Sequence, residues 1–60
     1  MDLKIPFHED TQLSEIMDIL ERYKDILDEV VVDGDEKVIY VYGATRELLR
    51  DLDEKGIYYE

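Results

Sequence analysis

The sequence predicts an α+β domain, a ferredoxin-like split βαβ whose four-stranded antiparallel sheet runs in the order 4-1-3-2 with two helices on one face. Three observations lead there. The hydropathy period switches between two and about three and a half in the order β-α-β-β-α-β. An Asp-Gly pair separates two β-branched runs at the centre of the chain, the strongest short-range hairpin signal. Right-handed crossovers then leave few ways to join two βαβ units through that hairpin.

Residues 2–7, DLKIPF, alternate, with Leu3, Ile5 and Phe7 on one side and Asp2, Lys4 and Pro6 on the other. This is a strand with one buried face. HEDT follows, where Asp10 or Thr11 is placed to cap a helix. Leu13, Ile16, Met17, Leu20, Tyr23 and Leu27 recur at steps of three and four and predict an amphipathic helix over 11–27, widened by Ile19 and Ile26. EVVV (29–32) and KVIYVYG (37–43) flank DGDE and form the hairpin, with a loop of two residues (Asp33-Gly34) or four (Asp33 to Glu36). Either length puts Val30 and Val32 on one face with Ile39 and Val41, and Val31 on the other with Val38, Tyr40 and Tyr42. Residues 44–56 predict a second helix, capped by Thr45 and closed by Gly56, with Leu48, Leu49 and Leu52 as its apolar stripe. IYYE (57–60) is expected to close the sheet as a fourth strand. The expected core joins the inward strand residues, including Val32, Ile57 and Tyr59, to Leu13, Ile16, Met17, Leu20, Leu27, Leu48 and Leu52.

Sixty residues make a single domain, 1–60, near the lower size limit for folding without staples. There is no cysteine, which excludes disulfides and thiolate metal sites. A hydrophobic content of 45% argues against disorder despite a net charge of -10. That charge opposes binding to nucleic acid or to an anionic membrane, and an associating macromolecule is expected to be basic. The longest apolar run, Val38–Tyr42, is far too short to span a bilayer. The N-terminal ten residues show no signal-peptide pattern, so a soluble protein is expected, cytoplasmic if natural.

Candidate chemistry is sparse. His8, followed by Glu9 and Asp10, has the residue types of a base or metal ligand, but nothing in the sequence supplies a second histidine or an orienting group. Asp33, Asp35 and Glu36 crowd the hairpin without the twelve-residue spacing of a calcium loop. Ser14 lacks the glycines of a nucleophile elbow, and Gly43 alone is no phosphate-binding fingerprint. No catalytic residue, cofactor or metal is expected.

Two surfaces remain. Residues 9–29 carry eight acids and two bases, and within them Asp18, Glu21, Asp25 and Asp28 recur at helical spacing as an outward carboxylate stripe. Such a row would suit a basic, for example nucleic-acid-binding, protein surface. The helix-free face of the sheet would carry Lys4, Val31, Val38, Tyr40, Tyr42 and Tyr58, a tyrosine patch suited to self-association or to a solvated β surface. Local signals and global pattern agree along the whole chain, as in a sequence built to specify one backbone. The primary expectation is an idealised, de novo scaffold without biochemical activity. The alternatives are an acidic interaction module acting through the carboxylate stripe, of the kind a phage would use, and a homodimer through the tyrosine face.

Overall fold

The computed structural model describes all residues, Met1–Glu60. It contains strand β1 (Asp2–Pro6), helix α1 (Asp10–Glu21), strands β2 (Glu29–Asp33) and β3 (Val38–Tyr42), and helix α2 (Arg46–Glu54). The sheet is antiparallel, in the order β1-β3-β2. It has three strands and not the expected four, so the four-stranded 4-1-3-2 architecture is corrected to a smaller α+β fold.

The missing strand has a local cause. The tail after α2 runs beside β1, and Lys4 and Glu60 exchange both backbone hydrogen bonds, at 2.9 and 2.8 Å. The next pair of such a ladder is Pro6 with Tyr58, and Pro6 has no N–H to donate. At the other end of the tail, Gly56 adopts φ 70°. The N–H of Ile57 closes onto Leu52 O and that of Gly56 onto Asp53 O. This Schellman arrangement closes the end of α2 only three residues before Glu60. Only one residue pair remains to hold the tail, and Tyr58 lies 66% exposed instead of beside Lys4.

The hairpin keeps the expected facing, because Val31 pairs with Tyr40, Val30 with Val41 and Val32 with Ile39. Its loop is Gly34–Lys37, since Asp33 is still paired with Val38. The Asp33 carboxylate accepts from the N–H groups of Asp35 and Glu36, both at 3.0 Å, and so builds the turn itself. Left-handed backbone falls on Lys37, at φ 56°, and not on Gly34.

Helix α1 is capped at Glu9, not at Asp10 or Thr11, with the Gln12 side-chain carbonyl accepting from the N–H groups of Glu9 and His8. It ends at Glu21 and not near Leu27. Beyond it the bonds shorten to three-residue steps, Tyr23 N to Leu20 O and Ile26 N to Tyr23 O. These turns advance the side chains faster than an α-helix does. Leu27 therefore reaches the core while Ile26 is left 60% exposed. The Tyr23 hydroxyl donates to the Asp51 carboxylate of α2, with Glu47 O 3.3 Å away, and ties this segment across the helix pair.

Helix α2 begins after Thr45, whose side chain accepts from Leu48 N at 3.4 Å. The core consists of twelve buried apolar residues centred on Ile5, Ile39, Val41, Leu48 and Leu52. Ile19 and Ala44 belong to it, whereas Leu13, Met17, Val30, Ile57 and Tyr59 are only partly buried around it. Val32 points to the helix side as expected but lies 42% exposed. Gly43, at φ 77°, lets two segments meet: an added Cβ would stand 2.7 Å from the Asp28 carboxylate and 3.0 Å from its backbone nitrogen. No helix is long and apolar enough to cross a membrane.

Candidate functional site

Alternation and register determine what the helix-free face presents. Lys4 and Val31 flank Tyr40 in the middle row, Asp2 and Glu29 flank Tyr42, and Pro6 and Asp33 flank Val38. The exchange between Lys4 and Glu60 brings the Glu60 side chain to the same face. Asp2, Lys4, Tyr40, Tyr42 and Glu60, with Leu3, line a shallow hollow of about 390 Å³. The ammonium of Lys4 lies 6.0 Å from the Tyr40 ring centroid, at the outer limit of a cation–π contact.

This surface is thus an apolar and aromatic strip, Val31, Val38, Tyr40 and Tyr42, with carboxylates at its margins and one cation. The strip agrees with the residues expected there from sequence, except for Tyr58, which lies 66% exposed on the cleft that Pro6 also lines. The marginal carboxylates Asp2, Glu29, Asp33 and Glu60 were missed. Strand parity signals the first three, because they share it with Lys4, Val31 and Tyr40. Glu60 could be placed only by knowing where Pro6 stops the tail.

The expected carboxylate stripe is broken up. Asp18 and Glu21 lie on α1, but Asp25 and Asp28 lie past its end, where helical spacing no longer relates them. All four are exposed, and the Asp28 carboxylate sits against Gly43.

A second cleft, of about 440 Å³, opens where a longer tail ladder would have lain. Its walls include Pro6, His8, Glu15, Lys55 and Tyr58. The charged side chains on its walls, Glu15 and Lys55, are exposed, as is His8. Nowhere do three His, Asp or Glu side chains gather at metal-binding distance.

Two tyrosines have displaced pKa values, both outside the open face. Tyr23 is raised above the ordinary value, first by its hydrogen bond to Asp51 and then by desolvation. Tyr59 is raised by desolvation and by the nearby Asp53 carboxylate. In each case ionisation would place a phenolate against a carboxylate. These are structural contacts that join α2 to its neighbours. Comparison with protein-family models, curated proteins and solved structures gave no match.

Proposed function

We propose that the protein is a non-catalytic interaction module that binds a basic protein surface through the open face of its sheet. The observation that carries this reading is the composition of that face: an apolar and aromatic strip enclosed by Asp2, Glu29, Asp33 and Glu60, with Lys4 as its one cation. Tyrosine supplies contact area at small entropic cost, and the carboxylates favour lysine or arginine at its edges. Self-association is disfavoured, because each copy carries a net charge of -10 and would bring its marginal carboxylates against those of the other. The stripe on α1 is a weaker candidate since it loses its helical register after Glu21. Against a scaffold without activity stand features that folding alone does not ask for. Lys37 occupies left-handed backbone, and Val31, Val32 and Ile26 lie open to solvent.

The test uses an extended lysine-rich peptide of about five to six residues, the usual strand length, titrated at low salt and followed by backbone amide shifts. The expected shifts concentrate on Val31, Tyr40 and Tyr42. Tyr40→Glu abolishes binding, while Asp18→Lys combined with Asp25→Lys leaves most of it. The reverse pattern would restore the α1 reading. A dimer in sedimentation at micromolar concentration would favour self-association, and no binding at low salt would leave the scaffold reading.

A further inference from the structure

Resting on that reading, the geometry points to how the partner is held: an extended basic segment pairs with the free edge of β2 as an added strand. The reciprocal bonds between Lys4 and Glu60 show that Lys4 turns its backbone groups away from β3. Its cross-strand partner Tyr40 therefore turns its own groups toward β2 and bonds Val31. Alternation then directs the N–H and C=O groups of Val30 and Val32 outward, where no strand receives them.

The two edges of the sheet are treated differently. At β1 the outward position of Lys4 is taken by Glu60 and that of Pro6 has no donor, which leaves only Asp2 at the strand end. At β2 there is no proline, no lysine and no covering segment, and the edge is guarded only by its shortness and by the charges of Glu29 and Asp33. Both of its surfaces are also unfinished, with Val31 40% exposed on the open face and Val32 42% exposed on the helix side. A strand laid here would bury both valines and continue the row of Tyr40 and Val31.

Charge selects the occupant. On the open face β2 presents Glu29, Val31 and Asp33 in sequence. A second copy pairing antiparallel about Val31 would set Glu29 against Asp33 twice. A segment of the pattern basic-x-apolar-x-basic instead places its cations against Glu29 and Asp33 and its central side chain against Val31. Its intervening residues, best β-branched, fall against Val30 and Val32.

The experiment compares the capped peptide Lys-Thr-Val-Thr-Lys, flanked by glycines, with a permuted peptide of the same composition and one with glutamate for lysine. Binding is read by fluorescence anisotropy and by amide hydrogen exchange. Strand addition slows exchange at Val30 and Val32, and Val32→Pro, which removes an outward N–H but no open-face side chain, weakens binding by about tenfold. The permuted peptide binds more weakly and the glutamate peptide does not bind. Binding that leaves both amides unprotected, or that treats the permuted peptide alike, overturns strand addition while the open-face reading stands. Failure of every basic peptide at low salt overturns both. Protection that grows with protein concentration without peptide would make a second copy the occupant, and would refute the assignment.

Discussion

The hairpin loop offers the most direct quantitative test of the fold, because its glycine and its left-handed residue are not the same residue. Lys37 has φ 56°. A residue with a Cβ in that region costs about 1–2 kcal/mol relative to right-handed backbone. Replacing it with glycine removes this cost but adds about 0.4–1 kcal/mol of unfolded-state entropy, leaving a gain of about 0.5–1 kcal/mol. Gly34 presents the opposite case, as its φ is not positive and a Cβ there meets nothing within 4 Å. Gly34→Ala should therefore stabilise by about 0.4–1 kcal/mol, through loss of unfolded-state freedom. The double substitution should gain about 1–2 kcal/mol, which for a chain of this size is a rise in Tm of roughly 4–16 °C. Urea unfolding followed by circular dichroism, with an unchanged slope, measures each step. A lower midpoint for Gly34→Ala would mean that Gly34 takes positive φ, as in a two-residue Asp33-Gly34 turn, and would refute the loop described above.

The other predictions concern the tail, the phase of α1 and the tyrosine contacts. Pro6→Thr restores the donor facing Tyr58 and should extend the tail ladder, with new exchange protection at residues 6 and 58 and a gain of about 0.5–1.5 kcal/mol. Ile19→Ala should cost about 2–5 kcal/mol in chemical unfolding, whereas Ile26→Ala should stay within about 0.5 kcal/mol; equal losses would restore the longer helix. For Tyr23 the folded pKa is raised, so its contribution is complete below the unfolded value of about 10 and disappears as pH rises through the folded value. Tyr23→Phe should lose one late-titrating phenol in absorbance at alkaline pH and flatten the alkaline fall in stability.

Elements with short-range causes were legible in the sequence. The alternation of Leu3, Ile5 and Phe7, the Thr45 cap and the Gly56 closure each depend on a few neighbouring residues, and the facing of Val31 and Tyr40 follows from loop parity alone. Three outcomes depended on tertiary context. No glycine or proline marks the end of α1 at Glu21, where Tyr23 is bound to Asp51 across the helix pair. The burial of Ile19, with Met17 left partly buried, is a rotation of less than one residue, which periodicity over so few turns does not resolve. Pro6 was readable as an edge residue, but its effect on the tail required the register of Lys4 with Glu60. For the candidate site the aromatic strip was legible, and three of its four marginal carboxylates, Asp2, Glu29 and Asp33, were present in the same alternation.

The order β1-β3-β2 also has a kinetic consequence. Strand β3 can find β2 across the Gly34–Lys37 loop, but it meets β1 only after the whole segment 7–37 has been closed. By loop entropy alone the second step costs about 2 kcal/mol more than the first, so the hairpin should precede β1 on the folding pathway. During that interval the β1-facing edge of β3, with the backbone groups of Ile39 and Val41, is without a neighbour. Misassembly of this chain should therefore begin at β3, and substitutions in Leu3 or Ile5 that delay β1 should raise aggregation during refolding more than their effect on equilibrium stability implies.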